Sequence, residues 1–480
     1  ELRLSPRTSF SFPDRDVSAE ARLRATPAPD WAVLRRSQLL PEAHYVSLTN
    51  YDYRAARSAP PAEAAQFAAA LMHVVRHVQQ DDATLLYTLA CVEDLIASDP
   101  TRAELFHAAV DWDVTRPLLV ILQSQRHEVL VQEHACRVLS ALLRSRPDKA
   151  EKAAVLEAAA AAAVASEDEG PSSSTADADE GGNTLVLFAQ WLCNQLRLPV
   201  HQQQSMGTVV AALAGLLGER PLRPLLLRAG AYQLIAALLK TSHISHDVQL
   251  VYNSALCIWL FTFLPEAVQR MAADSDIVPS LIAVAQSATK EKVVRVAMLA
   301  LRKLLDQREI GDFGAKAAEA GLQRVLTSLS LRGFTDEELT EAIDHLSEQV
   351  VTFQQEATSF ERYRKELLTG TLDWGSIHTD DAFWRQNAVQ FEESNCQVLR
   401  VLVKILEVGR DARTLAVACH DLGKLAEHHP RGRRVLHDVG AKQLAMRMMA
   451  HPDPDVKKHA LLATQKLLVS NWQFLGAQTV

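Results

Sequence analysis

Apolar residues recur along most of this chain at helical spacing, and the stretch around residue 300 shows the pattern most clearly. There the apolar side chains follow one another at intervals of three or four residues, which places them on one face of an α-helix. These residues are Val294, Ala297, Met298, Leu301, Leu304 and Leu305. Arg295, Arg302 and Lys303 lie off that face. The pattern predicts an amphipathic helix that buries one side and exposes the other.

The same helix recurs along the chain, and each time a small residue marks its centre. The small residues are Ala90, Ala135, Ala212, Ala255, Ala297, Ala342, Ala416 and Ala460. Five of the seven successive spacings lie between 42 and 45 residues, a period typical of armadillo and HEAT repeats. Because a single repeat of this kind cannot bury its apolar face, stacked neighbours must supply the core. The sequence therefore predicts an all-α, armadillo/HEAT-like right-handed solenoid.

Two longer spacings interrupt this period. The first contains residues 157–183, whose second half is acidic and rich in Ser and Gly, so we expect a disordered acidic insertion. The second contains the break at 369–375, where we place the boundary between a larger N-terminal domain and a smaller C-terminal one. The predicted parts are an irregular N-terminal arm (1–60), an N-terminal solenoid (61–355), a junction (356–376) and a C-terminal armadillo-like domain (377–480).

Composition and charge narrow the functional classes. Hydrophobic residues make up 48% of the chain, and the net charge is −8. Six of the acidic residues lie between Glu167 and Glu180, without which the balance is 50 − 52 = −2. This near-neutral balance argues against a nucleic-acid-binding protein. The six cysteines are scattered singly, which favours reduced core thiols, and no apolar run reaches the ~20 residues of a membrane span.

Motifs for catalysis, nucleotide binding and metal binding are absent from the sequence, although one pair resembles a known metal motif. Cys419-His420-Asp421 contains the adjacent His-Asp pair that ligates metal in HD-type phosphohydrolases. Here the pair lies within a predicted long helix, with Cys419 on its packed face and the His-Asp pair on the flank. We therefore expect a structural or surface role for it, with no catalytic residue, cofactor or metal.

Three blocks in the C-terminal quarter combine Trp, His and Gly at distinctive spacings. They are Leu372-Asp373-Trp374 with His378 and Phe383-Trp384-Arg385; His420-Asp421-Leu422-Gly423 with His429-Pro430-Arg431-Gly432; and Ala460-Leu461-Leu462-Ala463 with Asn471-Trp472. In order and spacing these blocks resemble the H subunit of the eukaryotic vacuolar-type proton-pumping ATPase (V-ATPase). The chain length and the two-solenoid layout are also similar to that family.

The resemblance implies a non-catalytic regulatory subunit on the cytosolic face of vacuolar or endolysosomal membranes. Its expected partners are the soluble ATPase sector, the E and G subunits of the peripheral stalk, and the N-terminal domain of the membrane-embedded a subunit. The expected roles are to couple ATP hydrolysis to proton transport and to inhibit hydrolysis by the detached soluble sector. A free-standing armadillo adaptor in trafficking or signalling is the alternative, although it leaves the three blocks unexplained.

Two groups of residues are candidates for a protein interface. The turn Gly409-Arg410-Asp411 joins two predicted helices of the C-terminal domain, and a loop of that domain contributes to inhibition in the family. Phe383, Trp384 and Asn387 form the second group, because aromatic side chains often dominate protein interfaces. Aromatic residues in such a pattern are more often part of the core, which we favour for these two, and the interface interpretation stays open at this point.

Overall fold

The computed structural model describes residues 28–50, 60–124, 126–146, 148, 180–198, 206–242, 247–357 and 359–468. Within these ranges the regular structure is helical, without β-strands. The chain divides into two compact units, Glu1–Gly311 with Phe334–Leu339, and Asp312–Gly333 with Thr340–Val480. The all-helical class predicted from the sequence is therefore confirmed.

The first unit is built from successive helices joined by short turns. They are α1 (Trp31–Arg36), α2 (Glu42–Asn50), α3 (Pro61–His77), α4 (Asp82–Ser98), α5 (Ala103–Ala108), α6 (Thr115–Gln123), α7 (Val129–Ser145), α8 (Glu180–Arg197), α9 (Met206–Gly218), α10 (Arg223–Arg228), α11 (Ala231–Ser242), α12 (Val248–Phe261), α13 (Pro265–Ala273), α14 (Ile277–Ser287) and α15 (Glu291–Leu305). In one layer, α4, α7, α9, α12 and α15 each pack against the next. In a second layer, α6, α8, α11 and α14 pack onto the first. This is the two-layer stack expected of helical repeats.

The predicted small residues lie at the buried contacts between the long helices. All eight alanines that mark the period are buried, with at most 7% of their surface exposed. Ala135 and Ala212 are far apart in sequence, yet α7 and α9 pack directly against each other. The first interruption therefore leaves the helix stack unbroken. Residues 149–179, which include most of the predicted insertion, lie outside the described ranges, and its last residues, 180–183, form the start of α8.

Polar contacts between neighbouring repeats follow the same period. Lys292 Nζ of α15 donates to Gln249 Oε1 of α12 at 3.0 Å, across 43 residues of sequence. Arg295 pairs with Asp336 at 2.9 Å, across 41 residues. Because each pair joins equivalent edges of successive repeats, the side chains fix the register of one repeat on the next.

In the described part of the first 60 residues, 28–50, the chain forms α1 and α2, where the sequence pattern predicts an irregular arm. The Asp30 carboxylate caps α1 by accepting from the Ala32 backbone N–H at 3.0 Å. Trp31 is buried, and its ring lies 6.1 Å from that of Tyr87 in α4. The cap and the buried indole explain why this part folds as helix, although it lacks the repeat pattern.

The second unit continues with shorter and less regular helices. They are α16 (Phe313–Glu319), α17 (Leu322–Ser330), α18 (Glu337–Ala357), α19 (Phe360–Thr369), α20 (Ser376–Thr379), α21 (Asp381–Asn387), α22 (Glu393–Val408), α23 (Ala412–His428), α24 (Gly432–Asp438), α25 (Ala441–Met448) and α26 (Pro454–Leu468). Arg362 of α19 pairs with Asp312 at 3.2 Å and with Glu319 at 3.1 Å, which ties α16 to this unit. From α16 onward the chain belongs to the second unit, apart from Phe334–Leu339, which includes the start of α18. The junction at 356–376 stays a prediction.

A buried polar network holds three helices of the second unit together. His378 Nδ1 of α20 lies 2.9 Å from both carboxylate oxygens of Asp421 in α23. The Tyr363 hydroxyl of α19 donates to the same carboxylate at 3.0 Å. On its other side, His378 Nε2 lies 3.2 Å from Glu366 Oε1. The side chains of His378 and Asp421 are 1% and 0% exposed, so water contributes almost nothing to this pairing.

The network keeps His378 positively charged. Burial alone would lower the pKa of His378, but the Asp421 and Glu366 carboxylates outweigh it and raise that pKa to about 10. Burial together with the Asp421 carboxylate also raises the pKa of Tyr363 well above its ordinary value. Tyr363 therefore remains a hydrogen-bond donor, and the Asp421 carboxylate is balanced by the imidazolium of His378.

The helix crossings predict the effect of enlarging a central alanine. Ala297→Leu in α15 should lower the free energy of unfolding by about 1–3 kcal/mol, because the added atoms have no space at 0% exposure. Ala237→Leu on the exposed side of α11 is the control and should change it by less than about 0.5 kcal/mol. Urea unfolding followed by circular dichroism measures both. Equal losses in the two variants would contradict close packing at Ala297.

The buried network predicts a large effect of one charge change. Asp421→Asn should cost about 3–5 kcal/mol, because it leaves the charged His378 without its buried partner. Asp373→Asn makes the same chemical change in an exposed pair with Arg413 and should cost less than about 1 kcal/mol. Urea unfolding of the two variants tests the difference, and a loss as small for Asp421→Asn as for Asp373→Asn would refute it.

The raised pKa of His378 also predicts a pH dependence of stability. The stabilisation by charged His378 is fully present below its unfolded pKa of about 6.5 and is lost as the pH rises toward the folded value of about 10. The free energy of unfolding should fall over this range by up to ~1.4 kcal/mol per pH unit from this group. Asp421→Asn should flatten the decline. Parallel pH profiles for the variant and the wild type would rule the network out as the cause.

Candidate protein interface

The turn predicted as an interface, Gly409-Arg410-Asp411, joins α22 to α23 and is fixed at both ends. The Gly409 N–H donates to Ile405 O at 2.7 Å, and a Cβ on Gly409 would lie only 2.5 Å from that oxygen. Glycine is therefore required at this close approach of the backbone. Asp411 caps α23 by accepting from the Thr414 N–H at 2.8 Å. Arg410, between these two fixed residues, is exposed.

The capping contacts also set the charge state of the turn. Hydrogen bonds from the side chain and backbone of Thr414 lower the pKa of Asp411 from its ordinary value. Asp411 is therefore a carboxylate committed to the helix end, where it meets the positive end of the helix dipole. Of the three candidates, Arg410 is the one whose side chain remains available to a partner.

A second loop, residues 370–375, lies beside the turn. The Leu372 N–H donates to Thr414 Oγ1 at 3.2 Å, so the residue that completes the cap of α23 also binds this loop. One step further along, Arg413 lies 3.2 Å from the Asp373 carboxylate in an exposed ion pair. These contacts bring the break in the repeat and the predicted turn to one edge of the second unit.

Trp374 is the large aromatic side chain that this loop presents. It is 40% exposed, and its ring centroid lies 5.1 Å from that of His420 in α23 and 4.8 Å from that of His459 in α26. Burial lowers the pKa of both histidines, which keeps them uncharged at neutral pH. The three rings form an aromatic cluster with one exposed member, the chemistry that often anchors a protein partner.

Exposed aliphatic residues adjoin both the loop and the turn. Leu368 is 67% exposed just before the loop, and Val408 is 61% exposed just before Gly409. We call Leu368, Trp374, Val408 and Arg410 the turn surface. It combines apolar side chains with one cation, the mixture found at centres of protein–protein interfaces.

Phe383 and Trp384, the second candidate group, lie in the core of the second unit. They are 1% and 0% exposed, and Trp384 Nε1 donates to His378 O at 3.1 Å. Asn387 is half-buried and donates from Nδ2 to Phe383 O at 2.9 Å. In this conformation the two aromatic side chains are inaccessible to a partner. They support the network around His378, and the core interpretation fits them.

The His420-Asp421 pair differs from its predicted place on a helix flank. Asp421 is fully buried and accepts from Tyr363 and His378, while His420 Nε2 lies 3.1 Å from His378 O. Both polar side chains are thus committed to contacts within the chain. Among the residues with described positions, no group of three or more His, Cys, Asp or Glu side chains is arranged to hold a metal ion.

Trp374 lies outside both predicted candidate groups. Trp374 lies between Gly370 and Gly375, in a stretch where apolar residues do not recur at helical spacing. Its side chain therefore has no neighbouring apolar residues on a helix face with which it could be buried. That absence of helical period was the sequence signal that this side chain is presented at the surface.

In the described ranges, no single helix is both long and apolar enough to cross a bilayer. Two pairs of consecutive helices meet the length and composition criteria only when the two helices of a pair are counted as one, and each pair is sharply bent.

Comparison with known proteins identifies the family. Two family models, both described as the H subunit of V-ATPase, match residues 17–350 and 356–472. A rice protein (Oryza sativa subsp. japonica), named as a probable H subunit of a V-type proton ATPase, is 33% identical over 453 residues, covering 93% of this chain and 95% of its own. The Drosophila melanogaster H subunit of the V-type proton ATPase is 30% identical over 456 residues, covering 94% and 89%.

Similarity to solved structures is more distant. A designed armadillo repeat protein covers 74% of this chain and 100% of its own length, with 14% identity and a TM-score of 0.28. The fold is therefore assigned from the helices themselves, and the family from the sequence matches over nearly the whole chain. This chain belongs to the family of V-ATPase H subunits.

Proposed function

We propose that this chain is a non-catalytic regulatory subunit of a vacuolar-type proton-pumping ATPase. It binds the soluble ATPase sector and the E and G subunits of the peripheral stalk, and it contacts the N-terminal domain of the membrane-embedded a subunit. Through these contacts it couples ATP hydrolysis to proton transport. The observation that carries the proposal is the match of both family models, in order, over residues 17–350 and 356–472.

The packing of the helices supports a binding role. In the first unit most apolar faces are buried in the stack between repeats, and the exposed surfaces of the stack are suited to docking other proteins. The most strongly organised polar group in the second unit, around His378 and Asp421, is closed off from solvent and serves the fold. These features suit a subunit whose chemistry is performed by partner chains.

When the soluble sector is detached, the C-terminal domain inhibits its ATP hydrolysis, and the turn surface makes that contact. Arg410 supplies a cation on a turn that Gly409 and the Asp411 cap hold rigid. Val408, just before the turn, and Trp374 and Leu368, in and before the neighbouring loop, supply exposed apolar area. A rigid turn loses little conformational freedom on binding, which favours a specific contact.

The site of action follows from the same proposal. The protein is held at the cytosolic face of vacuolar or endolysosomal membranes through other subunits, without inserting into the bilayer. The two domains joined at 356–376 give it separate surfaces for the soluble sector and for the membrane-embedded a subunit. A change in the angle between the two domains exchanges the coupled arrangement for the inhibitory one.

Inhibition of the detached sector tests the role of the turn. Arg410→Glu should weaken inhibition of ATP hydrolysis by at least about fivefold, the effect of losing ~1 kcal/mol at an interface arginine. Inhibition is measured by titrating the full chain into purified soluble sector. Arg447→Glu, at another exposed position in α25, is the matched control and should inhibit normally. Unchanged inhibition by Arg410→Glu would exclude the turn.

Substitutions of Asp411 distinguish its role in capping α23 from a direct contact with the soluble sector. Asp411→Asn retains a capping side chain and should inhibit nearly as well as wild type, whereas Asp411→Ala should lose about 0.5–2 kcal/mol of stability. Circular dichroism and the same ATPase titration measure the two effects. If Asp411→Asn loses inhibition while its stability is unchanged, the Asp411 carboxylate itself contacts the partner and the cap interpretation is wrong.

The pump assignment predicts the proteins that accompany the chain. A tagged full-length chain recovered from detergent-treated membranes should bring the soluble ATPase sector together with the E, G and a subunits of the pump. An unrelated tagged armadillo protein is the control for non-specific capture. Recovery of trafficking or signalling proteins without pump subunits would replace this function with that of a free-standing adaptor.

A further inference from the structure

The last described helix, α26, is covered by the rest of the second unit on one side only. It packs against α23 and α25, and 5 of its 15 residues are buried. By contrast, α23 packs against α22 as well as α26 and buries 11 of its 17 residues. Within the described ranges, the outer side of α26 is therefore the end of the helix stack.

This outer side carries apolar side chains. Leu461, Leu462 and Leu468 are 49%, 38% and 54% exposed, although the end repeat of a helical stack normally presents a polar outer face to water. Positions 461 and 468 are two helical turns apart and lie on nearly the same line along the helix. We call the three leucines the outer stripe. Apolar side chains grouped in this way, unlike scattered ones, indicate an interaction surface.

Two exposed lysines precede the outer stripe. Lys457 and Lys458 lie one turn before Leu461 and Leu462 on the same side of α26. In the part of the chain that the structure describes, neither lysine forms an ion pair, whereas Lys466 of the same helix pairs with a carboxylate of α23. The outer side of α26 therefore combines apolar area with two cations that have no partner in the chain.

The charge of the last repeat points to an acidic partner. Residues 432–468 contain seven basic and three acidic residues, whereas acidic residues are in excess over the whole chain, at 58 to 50. A positive surface at one end of a protein whose net charge is −8 favours encounter with a negatively charged surface.

This charge disfavours a second copy of the chain as the partner. In a two-fold contact the same surface meets itself, so the lysines of the two copies would converge and repel one another. The arrangement along α26 is also unlike that of helices that lie in a membrane surface, which carry cations along the whole length of the apolar face. Here Lys457 and Lys458 are both near the start of the helix, and the leucines follow in later turns.

The shape of the outer side suits a helix. The apolar side chains follow the axis of α26, and a helix laid beside them would pack as α26 itself packs on α23. We propose that the outer stripe, together with Lys457 and Lys458, is a docking surface for a helix of another protein. That helix presents apolar side chains to the leucines and carboxylates to the two lysines, and it takes the position that a further repeat would occupy.

This docking surface is separate from the turn surface. Trp374 of the turn surface contacts His459, which is nine residues before Leu468 and so points to the opposite side of α26. The proposal goes beyond the proposed function, because it rests on the geometry and charge of α26 and stands whether or not the turn inhibits ATP hydrolysis.

A designed peptide is the probe, since the partner is defined by its chemistry. The peptide is an amphipathic helix with leucine on one face and glutamate beside it, and a scrambled peptide of the same composition, whose leucines share no face, is its control. The full chain should bind the amphipathic peptide at least about tenfold more tightly than the scrambled one. Fluorescence anisotropy of the labelled peptides measures the binding.

Removing apolar side chains tests the outer stripe. Leu461→Asn combined with Leu462→Asn should weaken binding of the amphipathic peptide by about tenfold or more, because the leucines no longer exclude water from the contact. Leu331→Asn is the matched control, since Leu331 is 84% exposed in another part of the second unit, and it should bind as the wild type does. Circular dichroism checks that each variant is folded.

Charge reversal tests the two lysines. Lys457→Glu combined with Lys458→Glu should weaken binding by at least about fivefold and should reduce the loss of affinity that added salt causes in the wild type. Arg364→Glu combined with Lys365→Glu changes two adjacent exposed cations on α19 and should leave the affinity unchanged.

Five outcomes would overturn the proposal. Equal binding of the amphipathic and scrambled peptides would remove the requirement for a helix, and binding that ignores the leucine substitutions would place the peptide elsewhere. Self-association of the wild type that the leucine substitutions abolish, measured by sedimentation, would make a second copy the partner. Binding to vesicles containing phosphatidylserine, but not to the peptide, would make it a membrane surface. Tighter peptide binding after deletion of residues 469–480 would show that the chain covers the surface itself.

Discussion

The fold depends on one constraint: an amphipathic helix of this chain can bury its apolar stripe only against the helix of the next repeat. The centre of each long helix must therefore be small, and Ala297 and Ala255 are fully buried at these crossings. The same constraint explains the polar pairs one period apart, such as Arg295 with Asp336, since stacking brings equivalent edges together. Stability thus accumulates between neighbours, and the outer surface is left to binding.

This constraint also determines how much the sequence could predict. The long helices, their central alanines and the all-helical class follow from the period, because each repeat has the same packing problem. The burial of Asp421 does not follow, since its partners Tyr363 and His378 lie in short helices outside the period. A carboxylate on a helix is normally solvated, and only a tertiary contact reverses that expectation.

In the candidate interface too, local features could be predicted from the sequence and tertiary contacts could not. Gly409 and Asp411 were recognisable as a turn and a cap from the residue types alone, because both roles are local. The sequence could not separate buried from exposed aromatic side chains, since Trp374 and Trp384 belong to the same block of the C-terminal quarter. The structure separates them by the hydrogen bond from Trp384 to His378 O and by the loop that leaves Trp374 40% exposed.

The proposed turn surface lies where the repeat period is interrupted. In the regular repeats, an apolar side chain is buried against the helix of the next repeat. At an interruption there is no such helix to cover it, so an apolar side chain can remain exposed and contact a partner. The loop at 370–375 leaves Trp374 40% exposed against His420 of α23, the helix that follows the Gly409-Arg410-Asp411 turn. The regular repeats supply rigidity, and rigidity lowers the entropic cost of binding at the irregular positions. In a regulatory subunit, specificity is therefore expected to concentrate at interruptions, because the repeats themselves offer every neighbour the same surface.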